Sequence, residues 1–415
     1  MAAPQMDRNV RLLGVAMGLR LFGAAMVYPF LSLFFYHVAG LPYWLIGALI
    51  LLVSVLPLAV SPFGGLFTDR HGRKRVFIAG LSGETASVFC LALSMRADFV
   101  PGVLLFGALT GVAGSIAQPA IQAYVADMTD VTHRAMAYTW VRIGFNGGYT
   151  AGVVVGAVLV AFIGYADTAL VTTALLASGV VFMLALLAPS PYDAALKKGE
   201  AHIESAAKPR PMRDSMKALG KDRTFLMLSL ASLFAGLVYG HWGTTFVLFS
   251  NTVLHVSVAV LGPFLAINGL IVIFGQVPMT KMMTGRKHTF SAMLAAAMMI
   301  VAFLALGAIS LFAGLALLGV LAFVVLLTVG ENLGAIPSMT LPSNVAPQAE
   351  IGNYNGVFGL FSGVGNSMAP AFGGIVLGAV ANPLLVWAIL ALPGIPAIIL
   401  FRRVGTRIPE KANTI

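Results

Sequence analysis

Apolar stretches long enough to cross a bilayer recur along the whole chain, and this constrains the fold more than any other feature. A helix rising about 1.5 Å per residue needs roughly 20 apolar residues to cross a hydrocarbon core of about 30 Å. Breaks at charge, Pro and Asn place spans at roughly 11 to 36, 44 to 66, 75 to 96, 102 to 126, 136 to 162 and 167 to 188. Six more follow at roughly 224 to 249, 257 to 280, 289 to 309, 311 to 335, 353 to 380 and 384 to 401. The boundary between the ninth and tenth is the least marked, because Ala292 to Val329 carries no charge and only Gly307, Ser310 and Gly314 suggest a turn. Lipid offers backbone groups no partners, so these spans are helices. The expected fold is an all-α polytopic membrane protein with twelve transmembrane helices. Composition agrees: 10% of the 415 residues are charged and 59% hydrophobic, where soluble domains have about 25% charged. The first span runs to about His37 without a small-residue cleavage site, so it reads as a retained helix rather than a signal peptide.

The net charge of +10 does not point to nucleic acid, because the cations sit in short loops rather than along a helix face with interleaved aromatics. Arg8, Arg11, Arg70, Arg73, Lys74, Arg75, Arg134, the stretch 189 to 223, Lys281, Arg286, Lys287 and Arg402, Arg403, Arg407 and Lys411 fall on one side, and Arg96 alone on the other. Basic loops stay in the cytoplasm. Both termini are therefore expected to be cytoplasmic, in a multi-pass protein of the cell inner (plasma) membrane. The long polar segment 189–223 divides the chain into a six-helix bundle at 1–188 and another at 224–415 with a short cytoplasmic tail. It reads as a linker whose basic excess can meet anionic headgroups. Cys90 is the single cysteine, which excludes an intramolecular disulfide and a thiolate metal cluster.

Between spans two and three lies the one charge-dense stretch flanked by long apolar runs, GGLFTDRHGRKR from Gly64 to Arg75. Its glycines allow helix ends to approach and turn tightly, and Asp69 is suited to a helix N-terminus. G-x-x-x-D-R-x-G-R-K, from Gly65 to Lys74, resembles the loop signature of the major facilitator superfamily of secondary transporters, without departure. VADMTDVTHR, with Asp127 and Arg134 seven residues apart, resembles the same family's loop between helices four and five. The resemblance implies that Arg73 pairs with Asp127, that Asp69 faces the start of helix eleven, and that Gly65, Asp69, Arg70, Gly72, Arg73, Lys74, Asp127 and Arg134 form a conformational latch. The two halves look like repeats. Gly72-Arg73-Lys74 aligns with Gly285-Arg286-Lys287, where Met282 and Met283 replace Asp69 and Arg70. Pro119 to Gly156 aligns with Pro337 to Gly374 without a gap. Such repeats are how transporters build alternating access.

Small residues in span five (Gly144, Gly147, Gly148, Gly152, Gly156) and span eleven (Gly363, Gly365, Gly373, Gly374) suit backbone-to-backbone helix packing. They resemble the antiporter motif of drug exporters, with Val153 in place of the motif's proline and Pro370 keeping it. Gly107 stands where the family commonly has a buried arginine in helix four, so the usual proton-linked cation is missing.

Ionisable groups inside a span are costly and mark function by default. Arg20 in span one and Glu84 in span three lie at similar depth, as a structural ion pair or as substrate-cavity and proton-coupling groups respectively. Arg142 reads as a snorkelling side chain. Glu331 sits in LLTVGENLGAIPS, four to six residues inside the end of span ten. With the later GNYNGV, this stretch resembles helices ten and eleven of lactococcal-type multidrug/proton antiporters, whose tenth helix carries an acid after the glycine. Glu331 and Glu84 are the proton-coupling candidates. Gln118, Gln122, Tyr239, His241, Trp242 and Asn268, with Arg20, are the candidates for a sparsely polar substrate cavity, the bland reading of each being helix packing.

No zinc-binding, phosphate-loop or acyl-transfer pattern occurs, so an enzyme is not expected, nor are a metal or cofactor. The expected partners are a small-molecule substrate, protons and membrane lipids, with the chain a monomer. Three functions stay open: proton-driven export of amphipathic compounds or drugs, transport of an organic anion or lipid with Arg20 as anion partner, and a non-transporting receptor or scaffold.

Overall fold

The computed structural model describes residues 7–129, 134–198, 222–312, 314–347 and 351–415, apart from the side chains of 61, 62, 134, 135, 351 and 352. Most of the expected linker, 199–221, lies outside them. The first span is a 30-residue run, Arg8–His37, made of α1 (Arg8–Val27), a 3-10 turn (Tyr28–Phe30) and α2 (Leu31–His37). Pro29 explains the turn, since it lacks the N–H that a continuous helix needs. Then come α3 (Tyr43–His71), α4 (Arg73–Arg96) and α5 (Val100–Asp127). Spans five and six form α6 (Arg134–Leu186), turned at Gly164, whose φ of +80° suits glycine alone. A short α7 (Pro191–Lys198) follows.

The seventh span is α8 (Arg223–Tyr239) and α9 (Thr245–Thr252), broken between Gly240 and Thr244. Next are α10 (Val258–Met283), α11 (His288–Ile309), α12 (Ala316–Val345) and α13 (Ile351–Ala379). The last span is α14 (Pro383–Ala391) with α15 (Gly394–Gly405), and α16 (Glu410–Asn413) closes the order. Ten runs of helix are long and apolar enough to cross a membrane among the described residues. The turn in α6 and the shorter α8 account for the two remaining predicted spans. The chain is thus an all-helical, multi-pass membrane protein. The tenth span needs correction. It starts at Ala316, after a turn in which Gly314 takes φ +85°, and it continues to Val345 through Pro337 and Pro342. Membrane helices tolerate proline where neighbours re-satisfy the freed carbonyls.

Two compact units divide the chain: Met1–Gly40, Leu52–Glu204 and Val258–Gly269 form one, and Leu41–Leu51, Ser205–Ser257 and Leu270–Ile415 the other. In the first, α1 and α6 meet backbone to backbone. A Cβ added at Gly144, Gly148, Gly152 or Gly156 would strike Gly14 O, Gly18 O, Phe22 O or Met26 Cα respectively. Gly147 faces open space. In the second, α8 and α13 repeat the pattern with Gly236 against Ser362 O, Gly240 against Asn366 O and Gly365 against Leu233 O. Gly373 abuts the Thr245 hydroxyl and Gly374 the Tyr43 carbonyl.

Candidate functional site

The loop from Gly64 to Arg75 is short because Gly72, with φ +92°, reverses the chain between α3 and α4. A helix starting Arg73-Lys74-Arg75 places three cations at its positive end, which the helix dipole disfavours. Acids gather there in compensation. Asp193, on α7, accepts Arg73 N at 2.6 Å, Lys74 N at 3.2 Å and Ser190 N at 2.9 Å. The Arg73 guanidinium donates to Asp69 Oδ1 at 2.7 Å, to Asp127 Oδ2 at 3.2 Å and to Thr68 O at 3.1 Å. Its planar face lies 3.8 Å from the centre of the Tyr192 ring, a cation–π contact. Ser190 Oγ donates to Asp127 at 3.1 Å, and Tyr192 OH to Asp69 O at 2.9 Å. Lys74 Nζ reaches the Leu187 carbonyl at the end of α6.

Of the expected latch, the structure therefore gathers Asp69 and Asp127 around the Arg73 guanidinium, with Gly72 making the turn and the Lys74 amide sharing the Asp193 cap. Arg70 is exposed, and the side chain of Arg134 lies outside the described residues. The close helix approach falls on Gly64, where an added Cβ would be 3.0 Å from Ile116 O, rather than on Gly65, which has open space. Sequence reasoning missed Ser190, Tyr192 and Asp193. They lie in a stretch read as a tether, and only the acid three residues after a serine (S-P-Y-D) offered a capping signal.

Deeper in the same unit, Arg20 Nε donates to Glu84 Oε2 at 2.6 Å, with Glu84 buried and Arg20 partly buried. Gly114 makes room: an added Cβ there would run into the Arg20 guanidinium. Removing one partner of such a pair leaves an uncompensated charge, at about 3 to 5 kcal/mol. Gln118 is half-buried and Gln122 exposed on α5, and Asn268 is buried on α10.

In the second unit Glu331 lies almost midway along α12, not four to six residues from its end. The correction follows from the extension of that helix to Val345. Glu331 lines a cavity of about 250 Å³ with Tyr239, Ser338, Ser362 and Asn366, walled by small residues of α8 and α11. On the next residue, buried Asn332 donates to Ile271 O at 3.1 Å, tying α12 to α10. His241 and Trp242 are not at this cavity. His241 is fully buried, with Nδ1 3.0 Å from Thr245 Oγ1 and its ring between Phe303 and Phe372. Trp242 stacks on Phe246 at 5.5 Å in an aromatic core. Among the described residues, no group of three or more His, Cys, Asp or Glu is placed to hold a metal.

Carboxyls inside apolar helices, one buried as an ion pair and one lining a cavity, with a charge network at the helix ends, suit a membrane transporter. The family profile of the Major Facilitator Superfamily matches residues 13–370, and the chain belongs to that superfamily. It is 26% identical over 347 residues to the uncharacterized MFS-type transporter YhjO of Bacillus subtilis, covering 82% of this chain and 81% of that one. Similarity to a Na(+), Li(+), K(+)/H(+) antiporter of Planococcus maritimus is 29% identity over 214 residues, about half of each chain (50% and 49%). Multidrug resistance protein 2 of B. subtilis is 30% identical over 116 residues, 28% of each chain. Among solved structures, a POT family transporter in complex with 5-aminolevulinic acid superposes with a TM-score of 0.75 over 96% of each chain at 12% identity. That likeness concerns the fold alone.

Proposed function

We propose that this superfamily member is a proton-coupled exporter of amphipathic compounds or drugs, working by alternating access in the plasma membrane with both termini cytoplasmic. Two six-helix bundles, 1–188 and 224–415, are the moving bodies and 189–223 their linker. The observation that carries the reading is Glu331, a carboxyl midway along a membrane helix that lines a cavity. Such an acid can take a proton in one access state and release it in the other. One charge crossing about 100 mV yields about 2.3 kcal/mol, and each pH unit adds about 1.4 kcal/mol, enough at one pH unit for a neutral-substrate gradient of roughly several hundredfold. Similarity to a multidrug resistance protein supports the substrate class. The anion-transport alternative loses support, because the Arg20 guanidinium is already engaged by Glu84.

One observation favours a second reading, monovalent cation/proton exchange. The residues that line the cavity with Glu331 include Tyr239, Ser338, Ser362 and Asn366, oxygen-bearing side chains of the kind that suits a hard cation, and one relative bears the name of such an antiporter. Proteoliposomes with an imposed pH gradient separate the two. A lipophilic cationic dye moved uphill by wild type, and not by Glu331→Gln, supports drug export. Gradient-driven Na+ or K+ flux without dye transport supports the second reading. Wild-type uphill transport by Glu331→Gln overturns the role of Glu331 in both.

A further inference from the structure

Beyond Gly64, α3 has open space at Gly65, where an added Cβ would meet nothing within 4 Å. Phe67 and His71 are exposed and form one wall of a groove of about 680 Å³. The floor is small and apolar, with Gly80 and Gly83 of α4 facing Ala113 of α5. Along α4 the groove extends from Val76 to Ser87, a rise of about 16 Å. One leaflet's share of a hydrocarbon core of about 30 Å has that depth.

The groove ends at Arg75 and His71. There a second cavity of about 460 Å³ shares His71, Arg75 and Ala79 with it and adds Lys74, Lys197 and Asp193. The Asp193 carboxylate is hydrogen-bonded to three backbone N–H groups and is buried; it is ion-paired with neither Arg75 nor Lys197 among the described residues. Lys74 is bonded to the end of α6. Arg75 and Lys197 are exposed and have no hydrogen-bond or ion-pair partner among the described residues. A leaflet-deep apolar slot thus ends at two unengaged cations.

We propose that this groove binds an anionic phospholipid, one acyl chain lying along Gly80, Gly83 and Ala113 and the phosphate held by Arg75 and Lys197. Charge complementarity selects an anionic over a zwitterionic headgroup, and groove length selects a lipid over a free anion. The inference is independent of what is transported and of Glu331.

The test uses the full chain, purified in detergent and stripped of lipid, and native mass spectrometry with phosphatidylglycerol, phosphatidylcholine of the same chains, and inorganic phosphate. Phosphatidylglycerol is expected to bind at least about tenfold tighter than phosphatidylcholine, two basic groups each contributing near a headgroup. The double variant Arg75→Gln/Lys197→Gln loses that preference. Phosphatidylglycerol with a diazirine on its acyl chain crosslinks to peptides containing 76–87 or 109–116. Gly83→Leu, whose Cβ would have only Ala113 nearby at 3.5 Å, fills the slot and removes the crosslink. If that variant misfolds, Ala79→Leu at an exposed position does the same. Equal binding of the two lipids, an unchanged preference in the double variant, or crosslinks only elsewhere overturns the proposal. Competition by phosphate at millimolar levels without any acyl-chain crosslink also overturns it, leaving a simple anion site.

Discussion

Gly72 and Gly285 occupy matching places in the two halves, each with a left-handed φ (+92° and +78°) and each followed by Arg-Lys and a long helix. In both halves a segment beyond the sixth span returns to cap that helix. In the first half the cap is charged: Asp193 takes the amides of Arg73 and Lys74. In the second it is neutral. Asn413 Oδ1 accepts Thr289 N at 3.0 Å, Asn413 Nδ2 donates to Thr289 Oγ1 at 3.0 Å, and Gly285 N donates to Ile415 O at 3.0 Å. Among the described residues the Arg286 side chain meets the Phe290 ring, 5.8 Å away, and no acid, where Arg73 has two acids and Tyr192. Turn and cap are common to both halves, so they are the structural requirement. The acids around Arg73 are an addition, and an addition made once is the better candidate for a switch.

The largest effect is expected at the turn. Gly72→Ala adds backbone strain of about 1 to 3 kcal/mol and places a Cβ 2.5 Å from Asp193 Oδ1. The displaced cap raises the total to on the order of 3 kcal/mol or more. Gly285→Ala meets nothing within 4 Å and keeps only the strain, about 1 to 2 kcal/mol. Thermal unfolding in detergent should rank them in that order, and equal losses would mean that the Asp193 cap contributes nothing.

Next in size are the charge substitutions. Arg73→Ala is expected to slow transport about tenfold or more while the protein stays folded and inserted, because charge-assisted contacts of about 1 to 3 kcal/mol bias a two-state equilibrium. Arg286→Ala should leave transport unchanged. Asp127→Asn should do more harm than Asp69→Asn, since the Asp127 side chain is 20% exposed and that of Asp69 56%, and exposed pairs are screened. Proteoliposome flux decides both; equal sensitivity of Arg73 and Arg286 removes the distinction between the halves. The smallest effect is Asn413→Ala, a lost neutral cap costing about 1 kcal/mol, seen as a small drop in unfolding midpoint with normal flux.

The spans were legible because hydropathy and length are nearly sufficient for a membrane helix, and the Gly72 loop because its charges have few places to sit. Three features were not. Span ten reads as ending near 335, yet the helix passes on through Pro337 and Pro342, which moves Glu331 from near a terminus to the middle. Asp193 lies 120 residues from Arg73, a pairing that no local pattern encodes. His241, placed in a cavity from its polarity, is buried against aromatic rings because one hydroxyl, Thr245, satisfies Nδ1.

The seam between α1 and α6 bears on how this gene can drift. Any change in the first two bases of a glycine codon introduces a side chain with a Cβ, and at Gly144, Gly148, Gly152 and Gly156 even that one carbon would collide with the main chain opposite. Only silent third-base changes are harmless there. Gly147, on the same helix but facing open space, is under no such restriction, so inherited variation along α6 should skip every fourth residue.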